Sequence, residues 1–201
     1  YITNDEANFW IRRSEAFLRA LQAGDFAATA LSTHPGVTTT WLGSAGILLQ
    51  RALRGAGLVD GSFTTRLALM QLPVALTNAL AVLLGYALLR RMLPRSVATL
   101  GALLWALDPF VFGYSRLLHV DALAASFVTL SLLAACVAWH HDRRRRWVLA
   151  SGMFAGMALL SKSPALVLVP AVGLIALLAD RRPETRDRRT ASGSPVSRLL
   201  S

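Results

Sequence analysis

Leu67 to Leu89 reads LALMQLPVALTNALAVLLGYALL, twenty-three residues without a charge. At about 1.5 Å of rise per residue, a helix of this length exceeds the roughly 30 Å hydrocarbon core of a bilayer. The run predicts a membrane-spanning helix. Composition extends the reading to the whole chain: 54% of the 201 residues are hydrophobic and only 16% are charged, against about a quarter in soluble domains. Mean hydropathy is +0.48. Long stretches therefore have nothing to present to water, and the expected class is an all-α, polytopic integral membrane bundle.

Further apolar runs follow outward from this one. Residues 97–113 form a shorter run with Asp108 near one end, and Asp121 opens the next, with residues 122–139 following without a charge. Residues 147–179 are too long for one comfortable span, and Ser161-Lys162-Ser163-Pro164 interrupts them. Basic clusters punctuate the runs at Arg90, Arg91 and Arg95, at Arg143 to Arg146, and at Arg181, Arg182, Arg186, Arg188 and Arg189. Arginine and lysine collect in cytoplasmic loops. All three clusters share one side only if 147–179 crosses twice, as 147–160 and 164–179, both short and in need of tilt or local thinning. The expected spans are thus 67–89, 97–113, 121–139, 147–160 and 164–179, within a bundle of residues 66–179. Residues 1–65 form a non-cytoplasmic loop, and 180–201 a polar cytoplasmic segment too poor in apolar residues to bury a core. By this parity Asp5, Glu6, His34, Arg116, Asp121 and Lys162 all collect on the non-cytoplasmic face.

The first third predicts two amphipathic juxtamembrane helices. Asn4 is placed to cap the first, with Asp5 and Glu6 in its opening turn, where the helix dipole favours acids. Trp10, Phe17 and Leu21 would be its apolar stripe, and Gly24 its end. In the second, Leu42, Leu48, Leu49 and Leu53 oppose Arg51 and Arg54. Helices of this kind lie in the headgroup plane.

The charge excess, 21 basic against 11 acidic residues, does not imply nucleic acid, because the basic clusters lack interleaved aromatics. One cysteine, Cys136, excludes a disulfide within the chain. The first residues carry no signal-peptide pattern, and the start at Tyr1 reads as that of a fragment. There is no phosphate loop, no Cys/His metal spacing and no hydrolase triad order.

Four features could carry chemistry. Asp5-Glu6 offers a general base, or else an acidic helix start. Thr33-His34-Pro35-Gly36 offers a group aimed at a phosphate, or a rigid turn. Asp108-Pro109 and Tyr114-Ser115-Arg116 with Asp121 place charges beside spans, a functional signal by default; the alternative is a snorkelling arginine and a capping aspartate. Lys162, the only lysine, suits a lipid-linked phosphate as a point charge, or contacts headgroups. Gly152-x-x-x-Gly156 is a signal for close helix approach.

In this order, the features resemble the polytopic GT-C glycosyltransferases of the protein O-mannosyltransferase and aminoarabinose-transferase type, glycosyltransferase family 39 and its bacterial relatives. The likeness runs from residue 3 to about residue 179. It rests on the acidic pair, on His34-Pro35 where relatives carry a Lys/His-Pro-Pro turn, on Leu107-Asp108-Pro109, Ser115-Arg116 and Asp121, and on Leu160-Ser161-Lys162 near a usual Thr-Lys-Gly turn. Gly36 and Ser163 depart from those patterns. The resemblance implies transfer of a hexosyl or pentosyl group from a polyprenyl-phosphate donor to a hydroxyl of a protein, lipid or glycan. The site would face the periplasm of a bacterial inner membrane. Asp5 would be the base, Glu6 would orient the site, and Arg116 with Lys162 or His34 would hold the phosphate, with Asp108 and Asp121 in support. Arginine or lysine can meet a departing phosphate monoester, so a divalent metal is not implied. The competing classes are a transporter or flippase subunit and a lipid-linked glycan polymerase or ligase. Transporters place polar residues near the midplane in internal repeats, and neither pattern is present here.

Overall fold

A computed structural model describes residues 3–31, 35–142 and 144–180. All regular structure among them is helical: α1 (Ile11–Ala23), α2 (Val37–Gly55), α3 (Phe63–Met92), α4 (Arg95–Ala106), α5 (Pro109–Tyr114), α6 (Asp121–His140), α7 (Arg145–Ser161) and α8 (Leu168–Asp180). A π-helical turn, Glu6–Trp10, leads into α1, and a 3-10 turn, Ser163–Val167, links α7 to α8. The polar segment after Asp180 and Arg143 lie outside the described residues.

α3 and α6 are long and apolar enough to cross a bilayer, and they differ in burial. α6 is the central helix, packed on by α3, α5, α7 and α8. Small residues on it let neighbours approach: Ala122, Ala134, Ala135 and Ser126 are all fully covered. The Ser126 hydroxyl donates to Asn78 Oδ1 on α3 at 2.8 Å, and Ser131 and Ser151 exchange hydroxyl-to-carbonyl bonds of 2.9 and 3.0 Å between α6 and α7. α3 instead keeps Leu72, Leu76, Leu80 and Leu83 outward, as a helix facing lipid does.

Several expectations are corrected by packing. The run 97–113 is not one helix: it breaks at Leu107, and Asp108 starts α5 by accepting the Val111 N–H at 2.9 Å, with Pro109 at the first helical position. α4 has 12 residues, about 18 Å of rise. The first helix is capped by Thr3 rather than Asn4, whose Oδ1 accepts from Asn8 instead. Its buried face is Trp10, Ile11, Ser14 and Leu18, leaving Leu21 outward. α2 buries Thr38, Thr39, Gly43, Ser44, Gly46 and Ile47, and exposes Leu48 and Leu49. Small residues set both phases. A Cβ at Gly43 would stand 2.3 Å from Ser14 Oγ, and one at Gly46 2.3 Å from the Leu69 carbonyl oxygen. Gly152 and Gly156, read as a packing signal, meet nothing within 4 Å among the described residues.

The run 147–179 does break at Lys162, which is extended at φ −156° and ψ 133°. The start of α6 and the end of α7 therefore lie together, joined by contacts described below. At the other end of these helices the Arg91 guanidinium stacks 4.6 Å from the Trp147 ring centroid, Arg146 stacks on the same ring, and Arg144 and Arg146 pair with Asp142. The bundle thus has a basic end and an end that gathers Asp5, Asp121 and Lys162.

Candidate active site

A capping box holds the acidic pair. The Glu6 N–H donates to Thr3 Oγ1 at 3.3 Å, while the Thr3 N–H and hydroxyl donate to Glu6 Oε2 at 3.0 and 3.1 Å, the reciprocal pattern of Thr-x-x-Glu. Glu6 is fully buried. Its Oε1 accepts from Gln71 Nε2 of α3 and from the Leu118 backbone N–H, each at 2.7 Å. Four donors replace the hydration this carboxylate gives up. The N-terminal turn is thereby fastened to α3 and to the turn before α6.

With Glu6 turned inward, Asp5 faces out, its side chain 51% exposed. Its Oδ2 lies 3.1 Å from Nε2 of His119, in the turn between α5 and α6. Nδ1 of His119 accepts from the Asp121 backbone N–H at 3.3 Å and lies 3.6 Å from Asp121 Oδ2. Asp121 Oδ1 in turn accepts from Lys162 Nζ at 2.5 Å. One chain of contacts, Asp5–His119–Asp121–Lys162, thus joins the N-terminal turn, the start of α6 and the end of α7. Asp5 and Asp121 occupy opposite ring nitrogens, and no three His, Cys, Asp or Glu side chains among the described residues are placed to share a metal ion.

Two clefts meet at this chain. One, of about 830 Å³, is lined by Asp5, Gln71, Pro109, Tyr114, Arg116 and His119. The other, of about 520 Å³, is lined by Asp5, Arg13, Tyr114, His119, Asp121 and Lys162. Asp5, Tyr114 and His119 form their common wall, where the Tyr114 and His119 rings pack at 5.2 Å. Exposed Arg116 stacks on Phe112 at 5.2 Å, leaving the guanidinium edge open to donate to an anion. Asp108 is occupied as the cap of α5.

Of the residues singled out by sequence, Asp5, Asp121 and Lys162 are therefore joined through His119. Arg116 shares a cleft with Asp5 but not with Lys162. Glu6 lies beneath the site, and Asp108 at its edge. His34 lies outside the described residues, but the turn that follows it is anchored here. The Gly36 N–H donates to the Leu160 carbonyl at 3.1 Å, and the Thr38 and Ser161 hydroxyls are 2.7 Å apart. Gly36 adopts φ +140° against Trp10, a conformation closed to the proline expected from the resemblance. Proline would also lack the donated N–H. Sequence reading missed His119 and Arg13. The spacing His119-x-Asp121 was a signal for the first, while Arg13, stacked on Phe9 and Trp10 at 5.4 and 5.0 Å, looked like any helix-surface arginine.

No curated protein and no solved structure matches the chain. One family does, over residues 63–193, a stretch that includes Asp108, Arg116, His119, Asp121 and Lys162 and starts after Asp5 and Glu6. Well over half of the chain is matched, and the chain is an integral membrane protein belonging to the dolichyl-phosphate-mannose-protein mannosyltransferase family, glycosyltransferases of the GT-C type.

Proposed function

We propose that this protein transfers a hexosyl or pentosyl group from a polyprenyl-phosphate donor to a hydroxyl acceptor, with Asp5 as general base. One observation carries the reading: the half-exposed Asp5 carboxylate stands on the wall shared by two clefts, with Arg116 in one of them. Displacement at an anomeric carbon needs an acceptor on one side and a charge-stabilised leaving group on the other. The acceptor oxygen forms the new bond to the anomeric carbon and gives its proton to Asp5. The carbon–oxygen bond to the phosphate breaks, and its electron pair leaves on a polyprenyl phosphate met by Arg116. This scheme calls for no divalent metal. Glu6 orients the turn that carries Asp5, and Asp108 and Asp121 support the turn and helix around Arg116 and His119. His34 would add a second contact to the phosphate from the turn before Gly36.

The separation of the basic end from the end holding Asp5 supports a non-cytoplasmic site under the positive-inside rule, on the periplasmic side of a bacterial inner membrane. The outward leucines of α3 would hold the prenyl chain. A transporter subunit would leave the Asp5–His119 arrangement without a role, and family membership favours the transferase over it. A lipid-linked glycan polymerase or ligase would use the same site with a glycan acceptor.

The test uses membranes carrying the full-length protein, wild type beside Asp5→Asn, and follows release of polyprenyl phosphate from labelled polyprenyl-phosphate sugars with candidate acceptors present. The expected outcome is acceptor-dependent release by the wild type and a loss of about 100-fold or more in the variant, the range of a positioned base. Equal turnover by an equally inserted variant would remove Asp5 from the mechanism.

A further inference from the structure

We infer that His119 is a positioning residue for Asp5, and that Lys162 acts through it, by way of Asp121, rather than on the donor phosphate. The inference rests on the reading of Asp5 as the base. The Asp121 backbone N–H points at Nδ1 of His119, so Nδ1 is the acceptor and Nε2 carries the proton in the neutral ring. Nε2–H then donates to Asp5 Oδ2. The other Asp5 oxygen has no hydrogen-bond partner among the described residues, which leaves it free for the acceptor hydroxyl.

His119 itself has little freedom. Its side chain is 12% exposed, and its ring rests on Tyr114. Its backbone carbonyl accepts from Thr39 of α2 at 3.3 Å, and the neighbouring Leu118 N–H is held by buried Glu6. A group fixed from four directions and donating one hydrogen bond to a carboxylate sets where that carboxylate stands. At the far end, Lys162 is bound to the Asp121 carboxylate, and the backbone N–H of the same Asp121 donates to Nδ1. Lys162 thereby fixes Asp121, and Asp121 fixes the ring. Misplacing a reacting group by about 1 Å can lower a rate on the order of 100-fold, which is the loss expected when the ring is removed.

Four variants of the full-length protein, His119→Leu, His119→Gln, His119→Asn and Lys162→Met, test this in the polyprenyl-phosphate release assay, with Asp5→Asn alongside. Gln places an amide N–H near the Nε2 position, whereas Asn falls short of Asp5. His119→Leu is expected to lose kcat about 100-fold with donor KM within about twofold, and His119→Gln to recover to within about tenfold of wild type. His119→Asn is expected to behave like His119→Leu. If the leucine variant is not inserted, the Gln and Asn pair decides. The Lys162→Met defect should vanish in the His119→Leu background, because both act on one chain. Full activity in His119→Leu or His119→Asn would overturn the role of His119, as would a His119→Gln as inactive as His119→Asn with a raised donor KM. A Lys162→Met effect that multiplies with His119→Leu and raises donor KM would return Lys162 to the phosphate. Should Asp5→Asn turn over like wild type, the base assignment itself fails; an inactive Asp5→Asn beside an active His119→Leu defeats only the positioning role.

Discussion

Glu6 and Gly36 show how much a single residue can hold at this site. Glu6 accepts four hydrogen bonds while fully buried. Glu6→Gln turns an NH2 group toward at least one of those donors, and a buried donor left without a partner costs about 1–3 kcal/mol. The expected result is a loss of that size in thermal stability of the detergent-purified protein, and reduced turnover because Asp5 sits on the same turn. Gly36→Ala should be destabilising by a similar amount, since a non-glycine residue at positive φ costs about 1–3 kcal/mol and its Cβ would stand 2.3 Å from the Trp10 ring. Gly24, also at positive φ, has open space around it, so Gly24→Ala should carry the backbone cost alone. Comparing the two unfolding midpoints separates conformational strain from the collision with Trp10.

At the scale of elements, helix pairs are registered by close contacts and helix ends by charge. α3 and α4 meet where Gly85 accepts the edge of the Trp105 ring, 2.2 Å from where a Cβ would be. Gly85→Ala should displace that ring and lower stability by about 1–3 kcal/mol, as overpacking does, while Gly152→Ala should be neutral. The α6–α7 turn is fastened by Asp142, which accepts from the Trp147 indole N–H at 2.9 Å and from Arg146 at 3.3 Å. The indole hydrogen bond, helped by Arg146 and Arg144, holds this carboxyl below its ordinary pKa of 3.8 against a smaller desolvation effect. A depressed pKa in the folded state means that the contribution to stability is complete above the ordinary value and fades as pH falls through the folded one. The stability difference between wild type and Asp142→Asn should therefore be constant near neutrality and shrink as the pH is taken below about 3.9. Thermal unfolding of both proteins across that range checks it.

For the whole molecule, the outward leucines of α3 form an apolar surface on a helix long enough to cross a bilayer. Leu80 is 54% exposed near the middle of that helix, and Leu80→Arg should disfavour membrane insertion by about 3–4 kcal/mol, the difference between arginine and leucine at a helix centre. Leu58, more exposed at 71% but in the segment before α3, should tolerate arginine without effect. A glycosylation-tag insertion assay on both variants distinguishes a lipid-facing surface from one that merely meets water.

The sequence by itself determined the class and the approximate place of the two long apolar helices. Uncharged runs long enough for a bilayer announce α3 and α6, and the break at Lys162 follows from a lysine and a proline inside an apolar run, whereas the helix start at Asp108-Pro109 was read as part of one span, 97–113, and came only from the structure. Arg116, Asp121 and Lys162 could be singled out as charged groups beside apolar spans, and Asp5 as half of an acidic pair opening a helix. The buried faces of α1 and α2 were not legible. Leucine and arginine periodicity pointed to one side, whereas contacts at Gly43 and Gly46 turned a small, polar side of α2 inward, and α1 meets it with Ser14 among Trp10, Ile11 and Leu18 and leaves Leu21 outward. Such contacts depend on the partner helix and leave no periodic trace in either strand of sequence. Only the tertiary structure joined Asp5 to Lys162, because the histidine between them is 114 residues from one and 43 from the other. A hydrogen bond at that separation is decided by how helices pack, and the spacing of residues along the chain does not record it.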